Sequence, residues 1–218
     1  NANVLEVGSG SGILLSHLVQ KYRDLNFIGL EPYAGEFIIL KQFHNALKSI
    51  NKHLVVSSYE NFQSNQKFDY IFLINVFEHL DNWKDFLIFI EDNLSENGKC
   101  LILCPNYGFP YETHFNIPII INKDITYKIF KRNILHQENI RNAHGLWDSL
   151  NFITYNKLVR ESKVNKSLQL KVADDVLFRM IERSIYDKQF KKRHKLMSSI
   201  AYFFYKCGLL GIFKLRFM

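Results

Sequence analysis

The chain has 218 residues, 47% of them hydrophobic, and a net charge of +7. That size and apolar share suit one domain with a true core, alone or with an appendage. Its three cysteines, odd in number and without metal-ligand spacing, exclude a disulfide-stapled scaffold and point to a reducing compartment. Cys100 and Cys104 share one apparent strand. Four strand residues span roughly 13 Å, beyond the reach of a disulfide. The sequence starts at Asn1, already inside an apparent strand. A trimmed or processed start is therefore expected, and the lack of a visible secretory signal carries little weight.

NVLEV (3–7) reads as the first strand. SGILLSHLVQKY follows as a helix with Leu14, Leu15, Leu18 and Tyr22 on one side. LNFIGLE (25–31) is a second strand, stopped by Pro32. Residues 35–50 form a helix whose stripe is Ile39, Phe43, Ala46 and Ile50. HLVVS (53–57) is a short third strand. FDYIFLIN (68–75) is a fourth, apolar enough to be buried on both faces. Asp81 or Asn82 can cap the next helix, where Trp83, Phe86, Leu87, Ile90 and Leu94 repeat at helical spacing. SENG ends it, and KCLILCPN (99–106) is the fifth strand. Short strands joined by single-helix crossovers imply a parallel sheet with right-handed connections.

After Pro105 the pattern changes. NYGFPYETHFNIP (106–118) reads as a long aromatic loop past a strand's carboxyl end, where open α/β sheets bind ligands. Helices are expected near 122–133 and 154–164, and LQLKVA (168–173) as a sixth strand. The back half is expected to be mostly helix. The fold class is thus α/β, a Rossmann-like doubly wound sheet with a helical C-terminal appendage. Its divisions are 1–106 for the ligand-binding core, 107–175 for a substrate loop and the sheet's end, and 176–218 for a tail.

The tail carries KQFKKRHK (188–195), then the apolar run 196–218, interrupted by Lys206, Lys214 and Arg216. It is no clean membrane span. It suits an amphipathic helix on an anionic membrane surface, or a solvated basic face followed by a helix packed over a pocket. Nucleic acid is not the expected partner.

The chemistry begins at Gly8, Gly10 and Gly12, where a strand feeds a helix. Glycine permits positive φ and a close ligand approach, and the helix start offers unpaired N–H groups. The dinucleotide fingerprint needs G-x-G-x-x-G, but Ile13 stands at its third place. A P-loop would need Lys and Ser or Thr where Ile13 and Leu14 stand. Glu6, two before the first glycine, sits badly with a pyrophosphate and suits a ligand bearing an amino group.

VLEVGSGSG resembles the first motif of the class I S-adenosylmethionine-dependent methyltransferases, and other positions match in order over residues 3–106. The resemblance implies that Glu6, Gly8, Ser9, Gly10 and Gly12 form the cofactor turn. It implies that Glu31 accepts from the ribose hydroxyls and that Pro32 and Tyr33 pack the adenine. Ser58 and Tyr59 stand where the family often has Asp and a small residue, and Asn75 to Phe77 pass under the methionine. The family's sheet ends with an antiparallel pair. LQLKVA is the candidate for its first strand, no second one is evident, and a shortened carboxyl terminus is expected.

Methyl transfer from a sulfonium is an in-line displacement that mainly needs alignment. A base helps when the acceptor is a hydroxyl or amine. His79, beyond strand four, and His114, in the aromatic loop, are the candidate bases; a helix-start role and a plain loop role are their alternatives. Glu78-His79 also resembles the pair that helps hold a divalent metal in ubiquinone-biosynthesis O-methyltransferases. That group has a further Glu where this chain has Asn75, so no metal is expected.

The expected function is methyl transfer to oxygen of a small molecule or a glycan- or lipid-linked intermediate, in the cytoplasm or at a membrane periphery. The Pro-Asn strand ending, which resembles that of the subgroup acting on small molecules and cell-surface sugars, suggests the glycan together with the aromatic loop and the basic, aromatic C-terminus. A nicotinamide-dependent reductase or epimerase is a rival that Ile13 opposes. A non-catalytic cofactor-binding or membrane-associated subunit is the other.

Overall fold

The computed structural model describes residues 1–47, 53–164 and 168–173, together with 175, 176, 179, 182, 183, 186–189, 203 and 206–208. Five parallel strands form one sheet in the order β3-β2-β1-β4-β5. They are β1 (Asn3–Val7), β2 (Asn26–Leu30), β3 (Leu54–Val55), β4 (Phe68–Ile74) and β5 (Leu94–Leu103). The crossovers between them carry α1 (Ile13–Lys21), α2 (Leu40–Leu47) and α3 (Trp83–Asn93). This is the Rossmann-like arrangement expected from alternating strands and helices.

The order places β1 in the middle, between β2 and β4, with Leu5 opposite both Ile28 and Ile71. The chain therefore leaves β1 toward one side and returns to the other, and the crevice at that switch point opens beyond the carboxyl ends of β1 and β4. Leu5, Leu15, Ile71, Leu73 and Phe86 are fully buried around it. Each fully buried aliphatic or aromatic side chain contributes on the order of 1.5–3 kcal/mol.

Several elements differ from expectation. In α1, Leu15 is buried while Leu14 and Tyr22 are exposed. Residues 35–50 begin with a 3-10 turn, Gly35–Phe37, before α2. That offset rotates the helix, so His44 is buried while Phe43 and Ala46 face solvent. Ile50 lies outside the described residues. SENG does not separate α3 from its strand. β5 starts at Leu94, and a register shift between Phe68 and Tyr70 of β4 absorbs residues 95–98. Asn82 is the N-cap of α3, without a side-chain bond.

The aromatic stretch is not one long loop. β6 (Tyr111–Glu112) and β7 (Ile117–Pro118) pair antiparallel within it. The following helix, α4 (Lys123–Arg141), is longer than expected, and a further short helix, α5 (Leu146–Ser149), precedes α6 (Tyr155–Val164). LQLKVA forms no strand: residues 168–173 are irregular. Alternation alone does not make a strand, because the backbone N–H and C=O groups need a neighbouring ladder, and none pairs with them among the described residues. Most of the basic run and apolar tail lies outside the described residues.

The chain divides into two compact units, residues 1–104 with 111–152, and residues 105–110 with 153–218. In the second, Tyr107 N donates to the Ile153 carbonyl (3.0 Å). Asn106 Oδ1 accepts from Gly108 N (2.9 Å) and from Tyr155 N at the start of α6 (3.0 Å). The site described next belongs wholly to the first unit.

Candidate functional site

A cleft of about 770 Å³ opens at the carboxyl ends of the strands. Gly8 and Gly10 form its floor beside Val76. Gly8 has φ +75°, and a β-carbon there would lie 2.3 Å from Val76 Cγ2. Both conformation and space therefore require glycine. Gly12, φ 78°, turns the chain into α1 as its N-cap. Ser9 and Glu6 are buried, and neither they nor Gly12 line the cleft.

Glu31, at the end of β2, closes the turn from the neighbouring strand. Its carboxylate accepts from Gly10 N (2.8 Å) and Tyr33 N (3.3 Å). Burial raises its pKa, and these two backbone donors oppose that shift. Two backbone bonds leave a carboxylate with lone-pair capacity for hydroxyl donors. Burial also pushes Glu6 up to about 7, helped by the nearby Glu31 charge and opposed by Ser9. Pro32, Ser58 and Tyr59 line the same wall. Ser58 Oγ accepts from Asn61 Nδ2 (3.2 Å), and the Tyr59 ring packs edge-on to Phe86. Asn75 leaves β4 with φ 54° and, with Val76, lines the opposite side.

The charged lining is acidic. Glu31, Glu60, Asp81 and Asp148 face the cleft, and no Lys or Arg among the described residues lines it. Such a field favours a cationic sulfonium and opposes a pyrophosphate. The Tyr-x-x-x-Lys spacing that a reductase would use occurs at Tyr202 and Lys206, of which Tyr202 lies outside the described residues, and at Tyr127 and Lys131. There it is a cation–ring pair along α4, and neither residue lines the cleft.

His79 lines the cleft in a 3-10 turn, Phe77–His79. Asn151 pins that turn, donating through Nδ2 to the Phe77 (2.7 Å) and Leu80 (3.0 Å) carbonyls and through its N–H to the Glu78 carbonyl (2.7 Å). His79 Nδ1 lies 2.8 Å from Ser149 Oγ, whose own proton goes to the Leu146 carbonyl. Nδ1 is therefore the donor, and Nε2 carries the lone pair. Burial, then the neighbouring His114, lower the His79 pKa to about 4.

His114 sits at the tip of the β6–β7 hairpin. Glu112 shapes that tip. One carboxylate oxygen accepts from His114 N (3.0 Å) and Nδ1 (2.7 Å), the other from Phe115 N (2.6 Å). Arg141 from α4 holds the His114 carbonyl at 2.6 Å. Glu112 is fully buried, which raises its pKa, yet the hydrogen bond and charge of His114 and the backbone donors bring it below the usual carboxylate value. With Nδ1 of His114 bonded to Glu112, its Nε2 faces Glu78 Oε1 at 3.7 Å. The His79 and His114 rings meet edge-on, 5.4 Å between centroids. Glu78 is fully buried, neither of its oxygens has a hydrogen-bond partner, and burial pushes it up to about 7.

The structure thus brings both expected histidines together, with His79 on the cleft wall and His114 behind it. Glu112, Ser149 and Asn151 were not singled out from sequence. Glu112 stands two residues before His114, a spacing that could have flagged it. Ser149 and Asn151 lie some seventy positions from their partners and leave no local signal.

Comparison with known proteins converges on one family. A family model described as a methyltransferase domain matches residues 1–151, most of the chain. Two Mycobacterium tuberculosis proteins described as uncharacterized, from strains CDC 1551 / Oshkosh and ATCC 25618 / H37Rv, are each 33% identical over 195 residues. That covers 88% of this chain, which spans 66% of each relative's length. N-methyltransferase 4 of Papaver somniferum is 26% identical over 114 residues, 51% of this chain and 32% of that protein. The plantazolicin methyltransferase BpumL, crystallised with a pentazolic desmethylPZN analogue and S-adenosylhomocysteine (SAH), superposes with a TM-score of 0.50 at 14% identity. The match covers 76% of this chain and 56% of that one, and it shows the shared fold. The family takes its methyl group from S-adenosylmethionine, and the present chain belongs to it, the class I S-adenosylmethionine-dependent methyltransferases.

Proposed function

We propose that the protein transfers the methyl group of S-adenosylmethionine to an oxygen of a small molecule or of a glycan- or lipid-linked intermediate. The acceptor's lone pair forms the new C–O bond in line with the breaking C–S bond. That bond's electron pair goes to sulfur, leaving neutral SAH, and the hydroxyl proton passes to solvent water. The glycine turn Gly8–Gly12 with Ser9 receives the cofactor's carboxylate end, and Glu6 stands behind its amino group. Glu31 takes the ribose hydroxyls, and Pro32, Ser58 and Tyr59 take the adenine. Asn75 and Val76 lie under the methionine.

The observation that carries the choice of oxygen is His79 at the cleft wall with His114 behind it, each with its Nδ1 committed and His114 held by a buried carboxylate. A neutral amine attacks with the lone pair it already has. A hydroxyl gains far more from a group that promotes loss of its proton. His79 and His114 promote that loss. The setting is cytoplasmic, with the basic, aromatic residues 188–218 resting on an anionic membrane surface. Among the described residues no helix is long and apolar enough to cross a membrane.

The test is a panel of hydroxyl and amine acceptors with S-adenosylmethionine, the methyl position located by mass spectrometry. Methyl on oxygen is expected. His79→Ala and His114→Ala should each lower kcat about 100-fold or more, with SAH affinity retained. Methylation confined to nitrogen, as the names of the plant relatives would suggest, overturns the reading.

A further inference from the structure

Glu78, His79 and His114 form a cluster whose ligand atoms all lie within 4.8 Å of one another. Two features of it call for a ligand. Glu78 is fully buried, yet neither carboxylate oxygen has a hydrogen-bond partner. A buried carboxylate without donors is costly unless it is paired or coordinates an ion. Its separation from His114 Nε2 is 3.7 Å, too long for a hydrogen bond. Oxygen and nitrogen ligands held at about 2.1 Å from a tetrahedral metal stand about 3.4 Å apart. The 3.7 Å separation is close to that spacing.

The surroundings fit as well. A metal takes neutral imidazole, and the second ring nitrogen is usually fixed by a carboxylate or another acceptor. Here Glu112 fixes Nδ1 of His114 at 2.7 Å, and Ser149 Oγ fixes Nδ1 of His79 at 2.8 Å. Asn151 clamps the Glu78–His79 turn from behind. We infer that Glu78, His79 and His114 form a binding site for one divalent transition ion at the wall of the methyl-transfer cleft. Two imidazoles and one carboxylate select zinc, iron, cobalt or manganese over magnesium, which prefers an all-oxygen shell. Three protein ligands leave open positions. An acceptor hydroxyl placed there becomes more acidic, as metal-bound water does, and loses its proton to solvent before attack. That use rests on the oxygen-methylation reading; the site itself does not.

The test is titration of the chelator-stripped full-length protein with Co²⁺ and Zn²⁺ by calorimetry, with Co²⁺ visible absorption as a spectroscopic readout. One ion per chain is expected, with weak Mg²⁺ competition. Glu78→Gln and His114→Asn should each weaken binding at least about 100-fold, and Glu112→Gln about 10- to 100-fold. Each variant's SAH affinity reports whether it is folded. Should a buried Glu78 variant not fold, His114→Asn and Glu112→Gln still decide the question. Absence of stoichiometric Co²⁺ and Zn²⁺ binding, or binding unchanged in folded His114→Asn, overturns the proposal. The two readings fail separately. An ion bound without oxygen methylation sinks the acceptor reading alone, and full oxygen methylation by metal-free protein that binds no ion sinks the metal alone.

Discussion

The two walls of the cleft are built in opposite ways. The donor wall is backbone: Gly8 and Gly10 at the end of β1, with Glu31 of β2 holding the Gly10 N–H at 2.8 Å. Its parts are one strand and one turn plus the neighbouring strand end. The wall at His79 and Ser149, with the groups packed behind it, is side chain. Glu78 and His79 follow β4, Glu112 and His114 come from the β6–β7 hairpin, and Ser149 and Asn151 come from the region of α5. A backbone wall is demanding only where a side chain would intrude. A side-chain wall depends on each hydrogen bond that aims it.

The sharpest test of the donor wall is Gly8→Ala. Positive φ for a non-glycine residue costs on the order of 1–3 kcal/mol, and the new methyl would press on Val76 Cγ2 at 2.3 Å. SAH affinity, read by calorimetry, should fall by more than about 10-fold, since the two effects together exceed the 1.4 kcal/mol that makes one factor of ten. Val76→Ala in the same chain should return the steric share and leave the backbone share. Full rescue by Val76→Ala would mean that space alone matters.

Glu6→Gln comes next. In the fold Glu6 is raised from 4.5 to about 7, mainly by burial. A carboxyl with a raised folded pKa costs nothing below pH 4.5, where folded and unfolded chains are both protonated. The cost grows between pH 4.5 and 7 and is constant above, at about 3 kcal/mol from 1.36 kcal/mol per unit. Cofactor-free Glu6→Gln should therefore gain stability over the parent at pH 8 and lose that gain at pH 4, in urea titrations. An equal difference at both pH values would place the Glu6 carboxylate in a well-solvated setting.

Glu31→Ala removes a charged acceptor from Gly10 N and from the expected ribose site. Cofactor affinity should drop by about 1–3 kcal/mol. Unchanged affinity would break the assignment of the second strand to the ribose.

On the His79 wall, Asn151→Ala removes two hydrogen bonds from the Phe77–Leu80 turn. Stability should fall by about 1–2 kcal/mol, and kcat should fall with SAH affinity unchanged. A loss of SAH affinity instead would show that the two walls are not separately supported.

The sheet and the glycine turn were legible before any coordinates. Glu6, the three glycines and Glu31 occur in short segments whose strand and turn character local pattern reveals, and the parallel sheet follows from the alternation of strands with single helices. The His79 wall was half legible. His79 and His114 stood out as isolated titratable groups, but nothing local told that the rings would meet, or that Glu112 and Ser149 would settle their tautomers. The stripe assigned to residues 35–50 failed for a related reason. A 3-10 turn at Gly35–Phe37 shifts the phase of α2 and buries His44 in place of Phe43. LQLKVA failed because strand pairing is a property of two segments, and one of them alone cannot supply it.

By itself the sequence determined the sheet, the glycine turn at the end of its first strand and the charge of the carboxylate across from it. Those depend on periodicity, on glycine's freedom at positive φ and on residues close along the chain. Only the tertiary structure decided that Glu78, His79 and His114 converge with one carboxylate unsatisfied and both imidazoles aimed. Glu78 and His114 are 36 positions apart, and Ser149 and Asn151, which hold the Phe77–His79 turn, lie some seventy positions further along the chain from it. Their approach is set by how the hairpin, α5 and β4 pack against one another, which no local pattern encodes.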